Sequence, residues 1–169
     1  MKTVNRAVLV VALWVSSAAL SPGCSSLLKA EGPDVTGGVT LELFAQRGED
    51  SFALYAMTAD GMLHFAGGLD AYERKFSWSG QMTEEEIERM GSFLDEQDWW
   101  HVDPASTRAP QEHVYRVKVR KPGFRRSFEV TGDGAGITPL YELLETAARR
   151  RHAEYLEMMP EPGPQSIWR

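Results

Sequence analysis

The sequence predicts an α+β domain: an antiparallel sheet of about six strands with two helices packed on one face. Short stretches alternate apolar and polar residues, as half-buried strands do. Turn signals join these stretches in pairs, and two longer stretches place apolar residues at helical spacings of three and four. Because consecutive strands joined by short turns pair antiparallel, the predicted element order is ββββα–ββα.

Four strands are predicted in the first half of the chain. The stretch 39–43 alternates, and the stretches 52–58 and 62–66 flank Asp60-Gly61, a dipeptide typical of tight hairpins. The alternation of aromatic and charged residues over 72–78 predicts the fourth strand.

The first helix is predicted to begin after Thr83, because Thr83 and Glu86 have the spacing of a capping box. The helix is expected to end near Glu96. Its apolar face is formed by Ile87, Met90 and Leu94.

A second hairpin and a second helix complete the predicted domain. Strands over 115–119 and 124–130 meet at Lys121-Pro122-Gly123, and the glycine-rich stretch 132–136 leads into the last helix. This stretch lacks the lysine of a phosphate-binding loop and indicates a turn. Thr138 is the predicted N-cap, and Arg149–Arg151 would complement the dipole at the end of the helix.

The N-terminus has the features of an export signal. Lys2 and Arg6 precede the uncharged stretch 7–20, which is shorter than the roughly 20 residues that a membrane span needs. Ser21-Pro22-Gly23-Cys24 follows, and this stretch resembles the lipobox of bacterial lipoproteins, although Ser21 and Pro22 depart from the usual pattern. The alternatives are a secretory signal cut near Ala19 and an uncleaved anchor.

The lipobox resemblance implies cleavage before Cys24 and attachment of fatty acyl chains such as palmitate to that residue. It implies a cell-envelope protein held on a membrane, with the periplasmic face of the outer membrane favoured if two membranes exist. The predicted organisation is a signal peptide over 1–23, a flexible tether over 24–38, one domain over 39–157 and a disordered tail over 158–169.

Composition excludes some classes of function. Without the signal the chain keeps 16 basic and 24 acidic side chains, so nucleic acid is not an expected partner. Cys24 is the only cysteine, which rules out an intramolecular disulfide. No nucleophile or cofactor motif is present, so no cofactor is expected, and the prediction is a protein without enzymatic activity.

The stretch from Tyr55 to Trp100 resembles a family of small uncharacterised bacterial α+β domains. The elements that carry the resemblance are Tyr55, Asp60-Gly61, Phe65, Gly67, Met82-Thr83-Glu84-Glu85 and Trp99. Ala53-Leu54 stands where many of these domains have Cys-Pro. The resemblance implies a fold and a location in the cell envelope, and it implies no activity.

Two clusters are candidate sites in the middle of the chain. His101, His113 and the carboxylates Asp103 and Glu112 bound the loop 103–112, and they suggest a metal-dependent hydrolase as one alternative, although no metal-ligand spacing is present. The same loop suggests a small inhibitor as another.

The pair Trp99-Trp100 is the second cluster. One ring is expected in the core, and the other partly exposed as an anchor for a partner.

A basic patch is predicted on this acidic protein. Arg116, Lys118 and Arg120 share the outer face of the fifth strand, and Lys121, Arg125 and Arg126 join them around the hairpin tip. One interpretation of this patch is a solvated strand face without a partner. The other interpretations are contact with anionic lipid headgroups beside the anchor and contact with an acidic envelope protein. The sequence thus predicts an anchored lipoprotein that serves as an interaction or structural module.

Overall fold

A computed structural model describes Leu28 and residues 32–102, 113–132 and 136–159. These residues form one six-stranded antiparallel sheet and three helices. The predicted α+β class is therefore confirmed. The elements, in chain order, are β1 (Thr40–Arg47), β2 (Phe52–Met57), β3 (Met62–Gly67), α1 (Gly68–Tyr72), β4 (Trp78–Gln81), α2 (Glu84–Glu96), β5 (His113–Lys121), β6 (Phe124–Thr131) and α3 (Ile137–Met158).

The sheet order is β4-β3-β2-β1-β5-β6, so β1 lies in the middle and pairs with both β2 and β5. The two predicted hairpins are present. Gly61 and Gly123 hold positive φ angles of 74° and 75° in their turns, a conformation that glycine adopts without a steric penalty.

The main core lies between one face of the sheet and the helices α2 and α3. The central strands contribute Leu43, Val117 and Val119, and α3 contributes Leu140 and Leu144, all essentially without solvent exposure. Burial of this continuous apolar layer is the dominant force that stabilises the domain. We call the opposite face of the sheet, from which Glu42, Phe44 and Lys118 project, the outer face.

The predicted fourth strand over 72–78 is wrong. Gly68, with a φ of 58°, turns the chain directly into the short helix α1, and the strand forms later, over Trp78–Gln81. Ala71 of α1 is fully buried in a second, smaller core on the outer face, with Phe44 and Leu54. Burial of these side chains under α1 stabilises the folded chain more than a strand over 72–78 would.

The start of α3 also differs from the prediction. Gly136 occupies the N-cap position with no side-chain cap, and Thr138 lies inside the first turn. Ile137 is fully buried, which fixes the entry of the helix by packing. Because α3 continues to Met158, Arg149–Arg151 lie in its middle and form ion pairs with Glu145, Glu86 and Glu154 instead of capping its end.

The N-terminus of α2 has the predicted capping box. Thr83 N–H donates to Glu86 Oε2 at 2.9 Å, and Glu86 N–H donates to Thr83 Oγ1 at 3.3 Å. Glu86 also forms an ion pair with Arg150, which joins α2 to α3. Burial would raise the pKa of Glu86, but the Thr83 N–H and the Arg150 guanidinium outweigh it and hold that pKa below its ordinary value.

We expect Glu86→Gln to destabilise the domain at neutral pH by about 1 kcal/mol, because glutamine keeps an acceptor for the Thr83 N–H but loses the charge that pairs with Arg150 and favours the helix N-terminus. A lowered carboxyl pKa stabilises the fold above the unfolded value and ceases to do so as pH falls through the folded value. The variant should therefore lose less stability than the wild type as pH falls from neutral through and below the ordinary carboxyl pKa, as measured by urea unfolding. Glu85→Gln, an exposed position in the same turn, is the matched control; identical acid profiles for all three proteins would contradict the assignment.

Candidate interaction surface

Four of the predicted basic residues lie on the outer face of the sheet. In β5, Tyr115, Val117 and Val119 point into the main core, and Arg116, Lys118 and Arg120 alternate with them on the other side. Arg125 and Glu129 of β6 lie directly opposite Arg120 and Arg116, respectively. The strand period of two places these four basic residues on one face, whereas Lys121 and Arg126, which were also predicted in the patch, lie on the other side of their strands.

Two carboxylates neutralise part of this surface. Arg116 Nε lies 2.8 Å from Glu129 Oε2, and Lys118 Nζ lies 2.9 Å from Glu42 Oε1. Glu42 also pairs with Arg74, which follows α1, so one carboxylate serves two cations. On β1, β5 and β6, together with Arg74, five cationic side chains therefore face two acids, and this part of the outer face carries an excess of positive charge.

The facing pair Arg120 and Arg125 is the strongest indication that this charge is not simply structural. Like charges directly opposite each other on antiparallel strands destabilise a sheet. Within the described residues, neither guanidinium forms an ion pair with a carboxylate. The fold accepts this repulsion at a position where an acid would have formed a favourable cross-strand pair.

A small hollow of about 60 Å³ lies beside these residues on the outer face. Leu28 is half-buried and lines it together with Phe76, Lys118 and Arg120. We call the part of the outer face that carries Arg116, Lys118, Arg120 and Arg125 its basic half. The chain just after the predicted lipidation position therefore lies against this basic half.

Residues 32–38, within the predicted tether, are bonded to the β2–β3 turn. Gly32 N–H donates to Asp60 Oδ2 at 2.8 Å, and the N–H groups of Val35 and Thr36 donate to the carbonyl of Ala59 at 2.9 and 3.2 Å. We call this set of bonds the Asp60 clamp. Asp60 is 7% exposed, and its other carboxylate oxygen accepts from the Thr58 hydroxyl.

The expectation of a partly exposed tryptophan is wrong. Trp99 and Trp100 are only 1% and 5% exposed. Trp99 packs edge-to-face with Phe93 and Phe128 at centroid distances of 5.1 and 5.2 Å. Both tryptophans are thus core residues.

Trp100 lies beside the turn of the β5–β6 hairpin. Its indole N–H donates to Asp95 Oδ1 at 2.7 Å, and Lys121 Nζ lies 4.1 Å above its ring. This cation–π contact turns Lys121 toward the helices and away from the outer face.

The two histidines of the suggested metal site lie at opposite ends of the loop 103–112, which is outside the described residues. His101 Nδ1 lies 2.5 Å from Asp98 Oδ1 at the exposed end of α2, and the ring of His113 lies 6.4 Å from that of Tyr115 on β5. Within the residues described, no group of three or more His, Cys, Asp or Glu is placed to hold a metal ion.

A cleft of about 370 Å³ between the β3–β4 edge of the sheet and α3 was not anticipated from the sequence. The side chains of Phe65, Trp78 and His152 line it, and Tyr55 lies at its base. Burial, followed by the neighbouring Tyr141, raises the pKa of Tyr55. The hydroxyl therefore stays protonated, suited to hydrogen bonding and not to nucleophilic attack. The residues that line this cleft come from four elements, β2, β3, β4 and α3, so no local sequence pattern indicated it.

None of the helices in the described part of the chain combines the length and apolar character needed to cross a membrane. Comparison of the chain with protein-family models and with curated protein sequences finds no match. The resemblances to the lipobox and to small bacterial α+β domains therefore stay predictions.

Proposed function

We propose that this chain is an exported lipoprotein of the cell envelope, cleaved before Cys24 and anchored to a membrane by acyl chains on that residue. The observation that carries the proposal is the order of features in the first 24 residues. Two cations precede 14 uncharged residues, and Ser-Pro-Gly-Cys then places the only thiol of the chain where such a segment ends.

The α+β domain is proposed to act as a non-enzymatic interaction module. Its outer face supports this role, because it concentrates positive charge on an acidic protein and keeps Arg120 opposite Arg125. A surface arranged in this way favours binding to an anionic partner over a role limited to internal packing.

The anchoring proposal is tested by the intact mass of the full chain extracted from membranes. We expect loss of residues 1–23 and a mass increase matching two or more acyl chains, because a single chain holds a protein on a membrane only marginally. Cys24→Ser should remove the added mass and block this cleavage. Ser26→Ala is the matched control and should leave processing unchanged.

An unmodified thiol on a mature chain that begins elsewhere, for example after Ala19, would contradict the proposal. So would a Cys24→Ser protein processed in the same way as the wild type.

A further inference from the structure

We infer that the anchored domain lies with the outer face of its sheet against an anionic lipid surface. The inference rests on the proposed lipid anchor at Cys24 and adds an orientation and a chemical partner to it. Three features of the structure support it: the distance from the anchor to this face, the charge of the face, and two apolar side chains that project from it.

The first feature is the short connection between Cys24 and the outer face. Leu28 lines the hollow beside Lys118 and Arg120, and it lies only four positions along the chain from Cys24. Four residues span at most about 14 Å. The membrane surface would then be close to one Debye length, about 8–10 Å, from the basic side chains, so their attraction to it is not fully screened.

The Asp60 clamp maintains this geometry. Without it, the chain between Cys24 and β1 would be some 15 residues long and would allow any face of the domain to turn toward the membrane. With Gly32, Val35 and Thr36 bonded to the β2–β3 turn, the chain leaves the domain at a defined place. That place is next to the basic half of the outer face.

The second feature is the charge of this face relative to the rest of the molecule. Arg116, Lys118, Arg120 and Arg125 lie on β5 and β6, while the chain as a whole carries a net charge of −6. An anionic surface would therefore attract the outer face and repel most of the remaining surface. Each basic residue close to such a surface increases binding about fivefold.

The third feature is a pair of exposed apolar side chains on α1. Leu69 and Tyr72 are 69% and 62% exposed, and their spacing of three residues places them on one side of the helix. The Tyr72 ring leans on Phe52 of the outer face at a centroid distance of 5.2 Å. Leucine and tyrosine at such a position suit the boundary between headgroups and acyl chains, because each offers apolar surface and tyrosine adds a polar end.

The test uses the acylated full chain, inserted into vesicles of phosphatidylcholine with or without phosphatidylglycerol. Because Cys24 is the only native thiol and acylation consumes it, a single introduced cysteine can be labelled specifically. Ser127→Cys places a fluorophore on the outer face opposite Lys118, and Ser92→Cys places it at an exposed position of α2, in the helical layer. Quenching by a lipid with a nitroxide headgroup reports the distance of each fluorophore from the membrane.

We expect quenching at position 127 to exceed that at position 92 several-fold in phosphatidylglycerol vesicles. The difference should shrink in pure phosphatidylcholine and in high salt. Arg120→Glu should reduce it strongly, because the substitution reverses a charge at the centre of the contact. Arg89→Glu, the same change at an exposed position of α2, should leave it intact.

A separate readout distinguishes this role from a structural one. Arg120→Glu should raise the thermal stability of the domain, because it replaces the repulsion from Arg125 with a cross-strand ion pair. A variant that is more stable yet less closely docked supports the inference.

Equal quenching at positions 127 and 92 on an acylated chain would overturn the orientation and leave the anchor standing. Salt-sensitive capture of an acidic envelope protein by the outer face, with no preference for phosphatidylglycerol, would overturn the lipid partner. Absence of acyl mass on Cys24 would overturn the anchor itself, and mass spectrometry reveals that before any quenching is measured.

Discussion

Trp99→Ala is expected to lower the free energy of unfolding by about 4 kcal/mol, the range for a large aromatic side chain removed from a core. The ring is 1% exposed and fills the space between Phe93 of α2 and Phe128 of β6. Its loss would leave a cavity where α2 meets the sheet, and it would remove two edge-to-face aromatic contacts. Urea unfolding followed by circular dichroism measures the effect.

Two further variants show whether packing is the cause. Trp99→Phe keeps an aromatic ring in the same place and should cost clearly less than the alanine. Tyr155→Ala removes an aromatic side chain that is 60% exposed on α3 and should change the free energy of unfolding by less than about 0.5 kcal/mol. A loss below about 1 kcal/mol for Trp99→Ala would mean that Trp99 does not pack as described.

Asp60→Ala is expected to destabilise the domain by about 3 kcal/mol, because leaving the buried Thr58 hydroxyl unpaired costs about 1–3 kcal/mol and the lost bond from the Gly32 N–H to a charged carboxylate contributes about 1.5–3 kcal/mol. The Thr58 hydroxyl and the Gly32 N–H would both lose the carboxylate that accepts from them. The equilibrium constant for local opening of residues 32–38 should increase about a hundredfold if the whole of that free-energy loss falls on this segment. Limited proteolysis near Asp34 and hydrogen exchange at Val35 and Thr36 measure it.

Asp60→Asn keeps an oxygen acceptor and should show a smaller effect. Asp50→Ala, in the exposed β1–β2 turn, is the matched control and should leave both proteolysis and stability unchanged. If Asp60→Ala left residues 32–38 as protected as in the wild type, the clamp would not hold them. In the vesicle experiment, the same substitution should reduce the difference between positions 127 and 92.

Local chemistry explains why so much of the fold could be predicted from the sequence. The capping box of Thr83 and Glu86, the Asp60-Gly61 turn and the alternation of β5 each depend on residues within a few positions of one another. Such signals act in the isolated segment and survive in the folded chain. The basic half of the outer face was predicted for the same reason, since strand alternation fixes which side chains share a face.

The features that the sequence did not reveal depend on contacts between distant segments. The aromatic alternation over 72–78 is compatible with a strand, yet Ala71 packs against Phe44 and Leu54 and draws the chain into α1. Trp100 carries no local sign of burial, because Asp95 and Lys121 enclose it from α2 and β5.

The Asp60 clamp belongs to the same group. Asp60 and Gly32 are 28 residues apart, and the turn signal of Asp60-Gly61 already accounts for the aspartate locally. A residue with a sufficient local explanation gives no indication of a second, long-range role. Only the folded chain brings its carboxylate to the Gly32 amide.

If the domain is anchored at Cys24 as proposed, the clamp would also limit how far it could travel from the membrane. A free segment from Cys24 to β1 would span up to about 50 Å, whereas the clamp at Gly32 limits the free segment to roughly 28 Å, and the contact of Leu28 with the hollow would limit it to roughly 14 Å. A domain held so closely would search a thin layer in two dimensions and would meet partners that share its bilayer or come to the bilayer surface. Partners held on an opposite membrane across a wide gap would lie beyond its reach unless they extended across most of that gap.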